Sequence, residues 1–260
     1  MGKKQIFDAT LLSNRALSER YTMLSLLLPE KAATDIEVLP GQFVEIRVTD
    51  SPSTYLRRPI SICDYDPASR VMTLLIRRAG EGTDRLCNLA EGSKLDIVGP
   101  LGNGFSIPAQ GSTALLAGGG IGVAPLMLLG KRMKEAGVTP RFLLGARNAS
   151  EILLLEEFAA IGEVAVSTDD GSAGEKGYAA DNSALDRRYD LVCTCGPKPM
   201  MAGIARKARQ NGSPCEVSLE NLMACGLGAC LCCVEPTLKG NLRACVEGPV
   251  FNTDMLLWEL

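Results

Sequence analysis

The stretch TALLAGGGIGVAPLMLLGKRMKEAG, residues 113–137, decides the fold. A short apolar run ends in three glycines, and a second apolar segment follows with Pro125 near its start. That order reads as strand, glycine turn and helix, because a proline in a helix's first turn gives up an N–H that has no intrahelical partner anyway. The same alternation continues toward the C-terminus. RFLLGAR (141–147) is a second strand and SEILLLEEFAAIG (150–162) a helix with Ser150 as its N-cap. EVAVSTDDG (163–171) is a third strand, and DLVCTCGPKPMMAGIARKARQ (190–210) a fourth strand and helix. Strands alternating with helices predict a parallel, doubly wound sheet. Toward the N-terminus the punctuation changes. FVEIRV (43–48), PISIC (59–63), VMTLLIRR (71–78) and KLDIVGP (94–100) are short strands broken by turn residues, which predicts an antiparallel barrel or sandwich. The expected organisation is multidomain α+β, with segments 1–104, 105–211 and 212–260. The last of these has 49 residues and six of the ten cysteines, too little chain for a core of its own without a staple.

Composition removes several classes of function. A formal net charge of −3 gives no basic excess for nucleic acid or an anionic membrane face. The start, MGKKQIFDATLLSNR, has no continuous apolar stretch behind its lysines and does not read as a signal peptide. The most apolar region, 114–130, is broken by five glycines and a proline and falls short of a membrane span. A soluble, cytoplasmic chain is expected. Histidine is absent, which excludes mixed cysteine–histidine zinc sites, Rieske-type clusters, histidine-ligated haem and every histidine-based triad.

The thiols are concentrated in MACGLGACLCC (223–233) and in Cys245. Cys225, Cys230 and Cys233 are separated by four and two residues, and Cys245 follows after eleven more. This is the plant-type 2Fe–2S spacing, C-x4-C-x2-C with a distant fourth cysteine. Three thiolates converging from one short loop need a tight curl, and Gly226 and Gly228 permit it. Cys232 is left over as a non-ligand. Structural zinc remains an alternative, although a four-cysteine zinc site ordinarily arrives as two C-x2-C pairs and only one is present.

Two further regions carry weaker signals. In TYLRRPISI (54–62), Arg58 offers a cation for a pyrophosphate and Ser61 a small hydrogen-bonding group for an isoalloxazine edge. In LLIRRAGEGTDRL (74–86), Gly82 and Thr83 offer a turn with N–H groups and a hydroxyl. Gly118, Gly119, Gly120 and Gly122 open a helix N-terminus suited to phosphate, although the run is not a clean G-x-G-x-x-G. Asp169 and Asp170 follow the third strand and suit a ribose 2′-hydroxyl, which favours NAD; Arg147 points the other way.

Together these motifs resemble the ferredoxin–NADP reductase superfamily: R-x-x-S on a barrel strand, a Gly-Thr turn, a glycine turn opening the second domain, and Cys-Gly-Pro near its end. The resemblance implies FAD on the barrel, lined by Arg58, Pro59, Ile60 and Ser61, with Leu75, Ile76 and Arg77 beside it and Gly82 and Thr83 at its phosphates. Pro59-Ile60 stands where many relatives carry a tyrosine before the serine. It also implies that Cys195, Gly196 and Pro197 face the nicotinamide, with Cys195 shaping the pocket for hydride transfer. Over nearly its whole length, including SLENLMACGLGACLCC (218–233) and ACVEGPVF (244–251), the sequence resembles the electron-transfer subunits of NAD-dependent dihydroorotate dehydrogenases of pyrimidine synthesis. In that family FAD and a 2Fe–2S cluster relay electrons between NAD and a partner subunit that holds FMN, and the pair forms a heterotetramer. A close alternative is the small subunit of NADH-dependent ferredoxin–NADP oxidoreductases, whose members carry aspartate where Cys225 stands. A free-standing NADH–acceptor reductase and a zinc-stapled flavin-binding module are further alternatives. The ligand assignment makes a direct prediction: Cys230→Ser abolishes or degrades the cluster's visible spectrum, and Cys232→Ser leaves it intact.

Overall fold

The computed structural model describes residues 4–258; residues 1–3 and 259–260, the outer ends of the first and third expected segments, lie outside the described residues. The N-terminal part is a closed barrel. Its strands are β1 (Gln5–Ala16), β2 (Tyr21–Leu27), β3 (Phe43–Ile46), β4 (Arg58–Asp66), β5 (Val71–Arg77) and β6 (Lys94–Leu101), arranged β1-β2-β5-β4-β3-β6 with β6 pairing back to β1. Helix α1 (Glu30–Asp35) and helix α2 (Glu81–Cys87) interrupt them. Every strand pair is antiparallel. Inward positions carry Leu24, Leu26, Ile46, Ile62, Leu74, Ile76 and Ile97, all fully buried, and closure leaves no unpaired edge.

The second part is a sheet of seven strands: β7 (Thr113–Gly119), β8 (Thr139–Ala146), β9 (Glu163–Thr168), β10 (Glu175–Lys176), β11 (Leu191–Cys195), β12 (Cys215–Ser218) and β15 (Val250–Asn252). Their order is β10-β9-β8-β7-β11-β12-β15, parallel except for the last. The helices are α3 (Ala124–Glu135), α4 (Leu155–Ala159) and α5 (Lys198–Gln210). The sheet therefore reaches past residue 212: β12 completes its parallel part, and β15, from near the chain's end, caps it. A hairpin of β13 (Val234–Thr237) and β14 (Gly240–Arg243) follows the cysteine loop.

The helix expected over 150–162 is shorter, and Ser150 is not its cap. The Asn148 side-chain oxygen accepts from the Ser150 N–H (3.1 Å) and hydroxyl (2.7 Å), closing a single 3-10 turn over Ala149–Glu151. Leu153 and Leu154 then turn into the core, Leu154 at φ 57, and α4 starts only after them. Burial of two leucines outweighs continuation of the helix.

Helix α3 lies between the two parts. Leu128 joins the barrel core, while Leu126, Leu129 and Met133 pack with the sheet. Lys131 pairs with Asp64 of β4. The C-terminal segment is also attached on both sides. The Asn103 amide, after β6, donates to the carbonyls of Val246 (3.1 Å) and Glu247 (3.0 Å), and Leu219 N–H donates to Pro249 (2.9 Å). Among the described residues no helix is long and apolar enough to cross a membrane.

The turn between β7 and α3 depends on a close approach. A Cβ on Gly122 would stand 2.3 Å from the Cys195 carbonyl oxygen and 2.6 Å from the Gly196 nitrogen, both main-chain atoms that cannot rotate away. Gly122→Ala is expected to destabilise the protein by roughly 1–3 kcal/mol in chemical denaturation, the usual cost of overpacking. Gly80→Ala, where a Cβ meets nothing within 4 Å, is expected to stay within about 0.5 kcal/mol of the parent.

Candidate functional site

A cavity of about 810 Å³ opens where the carboxyl ends of the parallel strands meet the barrel, the position a doubly wound sheet offers to ligands. One wall is formed by Tyr21 and Arg77, paired neighbours on β2 and β5, with Gly119, Gly120, Gly196, Pro197 and Glu220 around them. The opposite wall comes from residues that follow three adjacent strands: Arg147 after β8, Asp169 after β9 and Tyr178 after β10. Arg206 and Lys207 of α5 complete it.

The residues expected at a nicotinamide site divide. Gly119, Gly120, Gly196, Pro197 and Asp169 line the cavity, whereas Gly118 and Gly122 are packing positions behind it. Asp170 is not in the wall. Its carboxylate accepts the Ser172 hydroxyl (2.6 Å) and N–H (2.9 Å), bonds that hold its pKa below the usual carboxylate range. Cys195 is 1 % exposed and lies beneath the cavity; burial pushes its thiol well up, and a hydrogen bond with Ser218 opposes this only in part. It is a neutral thiol that supports Gly196 and Pro197. Tyr21, Tyr178 and Glu220 were not indicated by any sequence motif, because they reach the cavity from three separate parts of the chain.

On the barrel, the two arginines take different partners. Arg57 makes a bidentate pair with Asp96 (2.8 and 2.9 Å) and also bonds the Asp96 carbonyl. Arg58 bonds only main-chain carbonyls, of Arg57 (3.1 Å) and Leu56 (2.9 Å), and no carboxylate among the described residues. Its guanidinium therefore keeps capacity for an anion. A Cβ on Gly82 would stand 3.3 Å from Arg58 Cδ, so the first turn of α2 lies against the same side chain. The Thr83 hydroxyl is committed to that turn, accepting from Ala79 N–H (2.8 Å) and donating to the Gly80 carbonyl (2.9 Å). Pro59 and Ser61 face outward, while Ile60 and Ile76 enter the barrel core and Leu75 packs toward the sheet. The side chains of Ile60, Leu75 and Ile76 are thus taken up by packing, whereas Arg77 lines the cavity.

The cysteine loop fits a two-iron group. Its sulfurs already accept main-chain N–H groups: Leu227 to Cys225 (3.4 Å), Cys232 to Cys230 (3.5 Å) and Cys245 to Cys233 (3.4 Å). Burial works against ionisation of Cys225, but N–H groups of Leu227, Cys230 and Ala229 and the Cys230 thiol bring it down to about 6. Cys245 is pushed up to about 12, by burial first and by the neighbouring Cys233 next. The strongest mutual influences among the thiols run between Cys225 and Cys230 and between Cys233 and Cys245. No three cysteine, aspartate or glutamate side chains among the described residues are grouped to hold a single metal ion. Cys232 contributes its N–H to the set. Arg243, clasped by Glu247, donates to the Gly228 carbonyl (3.2 Å) and closes the loop.

This loop rests on the barrel. Gly226, at φ 64, lies so close to β3 that a Cβ there would stand 2.7 Å from Glu45 Cγ. Glu45 is 1 % exposed, and neither carboxyl oxygen has a hydrogen-bond partner among the described residues. Burial pushes its pKa up to about 7, opposed by Arg58 and Arg57 and reinforced by Cys225. Glu45 pairs across the sheet with Pro59, so one residue touches both the strand of Arg58 and the cysteine loop.

Comparison with known proteins agrees with this geometry. Residues 8–105 match the family model described as an oxidoreductase FAD-binding domain, and residues 220–257 match the iron–sulfur cluster binding domain of dihydroorotate dehydrogenase B. The dihydroorotate dehydrogenase B (NAD(+)) electron transfer subunit of Fusobacterium nucleatum is 40% identical over 221 residues, covering 82% of this chain and 84% of that one. The Bacillus caldolyticus subunit of the same name is 40% identical over 252 residues, covering 94% and 95%. Among solved structures, a chain of an NADH-dependent reduced ferredoxin–NADP oxidoreductase superposes with a TM-score of 0.86 at 32% identity, covering 100% of this chain and 92% of that one. A cytochrome P450 reductase of Amycolatopsis, at 23% identity and a TM-score of 0.68, shares the fold. On its sequence, its two matched domains and its fold, the chain belongs to the family of dihydroorotate dehydrogenase B (NAD(+)) electron transfer subunits.

Proposed function

We propose that this chain is the redox subunit of an NAD-linked dihydroorotate dehydrogenase, carrying electrons between NAD and a catalytic partner subunit that holds FMN, in a heterotetramer of two copies of each. The observation that carries the reading is the placement of three sites in one body: the cavity on one side of the barrel strands, Arg58 and Pro59 on them, and the cysteine loop against Glu45. Bound FAD would exchange a hydride with the nicotinamide and single electrons with a 2Fe–2S cluster, which is the conversion such a relay requires.

The chain's own residues have the following parts. The barrel, residues 1–104, holds the flavin, with Arg58 beside its pyrophosphate and Ser61 and Arg77 along its edge. Residues 105–211, completed by β12, hold NAD: Gly119, Gly120, Gly196 and Pro197 shape the nicotinamide end. Asp169 accepts from the adenosine ribose and repels a 2′-phosphate. The remaining segment holds the cluster through Cys225, Cys230, Cys233 and Cys245, and main-chain N–H groups are already directed at the sulfurs of the first three. A smaller role as part of an NADH-dependent ferredoxin–NADP oxidoreductase has the whole-chain structural likeness in its favour. Cys225 in place of aspartate, and the relatives' names, favour the dihydroorotate system.

Anaerobic titration of the purified chain with NADH is expected to bleach both flavin and cluster absorption. Bleaching of flavin alone in a chain that contains iron would reject the relay. Asp169→Ser is expected to narrow the preference for NADH over NADPH in steady-state kinetics by roughly tenfold, the equivalent of one good polar discrimination. An unchanged ratio removes Asp169 from that role.

A further inference from the structure

Among the buried side chains without a hydrogen-bond partner in the described residues, one is a carboxyl group. Glu45 is withdrawn from solvent, and both carboxyl oxygens lack a partner among the described residues. A leucine there would occupy similar space without the cost of burying unsatisfied oxygens. The two arginines nearby favour its charge at a distance but bond neither oxygen: Arg57 pairs with Asp96, and Arg58 donates to the carbonyls of Arg57 and Leu56. What faces Glu45 is the cysteine loop at Gly226, where even a methyl group would collide with it. Behind it, across the sheet, is Pro59 of the flavin-bearing strand. It is therefore placed at the junction of two cofactor sites, with acceptor capacity that the described residues leave unused.

We propose that Glu45 is a positioning residue that registers the cysteine loop against the flavin-bearing strand, the carboxyl oxygen that faces Gly226 serving as acceptor for an N–H group of the loop in the cluster-loaded protein. The proposal rests on the four cysteines being cluster ligands. It depends on one acceptor oxygen and on shape; an amide keeps that oxygen, and an alkyl group of similar size does not. Glu45 acts through the loop and touches no reacting atom.

The test uses the full-length chain carrying FAD and iron, with E45Q and E45L compared against the parent. Two properties are read: the rate at which a ferrous chelator removes iron, and the electron paramagnetic resonance spectrum of the dithionite-reduced protein. E45L is expected to lose iron roughly tenfold faster, the lower range for loss of an outer-shell partner of a metal ligand, with a broadened spectrum. E45Q is expected to restore both properties, and FAD content is expected to be equal in all three proteins. If E45L releases iron at the parental rate with an unchanged spectrum, or if E45Q is as impaired as E45L, Glu45 has no such role. A parent chain that binds no iron overturns the cluster reading itself, an outcome visible before any variant is compared.

Discussion

The arrangement depends on helix α3 being buried on two sides at once. Domains joined by a short linker ordinarily move against each other unless their interface is large and apolar. Here one helix supplies both surfaces, with Leu128 in the barrel core and Leu126, Leu129 and Met133 against the sheet. Lys131 adds an ion pair to β4, the strand that also carries Arg58 and Ser61. Strand β4 and the glycine turn that begins α3 are thereby fixed relative to one another. Only then do Tyr21 and Arg77 on the barrel face Gly119 and Gly120 on the sheet to form one cavity.

The C-terminal segment uses a different solution, because it is too short to have a core. It borrows from both neighbours: β15 adds a strand to the sheet, Asn103 holds the carbonyls of Val246 and Glu247, and the loop lies on Glu45. Cys233 and Cys245 are consequently buried while Cys230 is exposed. The thiols differ in environment although they come from one compact motif: the buried Cys233 sulfur accepts the Cys245 N–H, whereas burial keeps the Cys245 thiol protonated.

What the sequence made legible was local. The strand–turn–helix at 113–137, the four later elements and the cysteine spacing all follow from residues close together in the chain. The short form of α4 was not legible, since it turns on Leu153 and Leu154 finding a core made by other strands. Two adjacent aspartates looked equivalent; Ser172, two residues on, takes Asp170 away from the cavity and leaves Asp169 in it. Likewise Arg57 and Arg58 are alike in sequence, and it is Asp96 on β6 that separates a structural arginine from one with capacity for an anion. Glu45 carried no signal at all, because within FVEIRV it looks like the solvent-facing residue of an alternating strand, and the segment that covers it lies about 180 residues later in the chain.

The seven-stranded sheet has two ends, and both are blunt. At one, β10 is only two residues long. At the other, β15 covers β12 and is itself only three residues long. Since β15 belongs to the cysteine-bearing segment, that segment is also a lid on strand β12. Detaching it would expose an unpaired backbone edge of the kind that recruits other chains, so the region that serves electron traffic also protects the folded protein from aggregation.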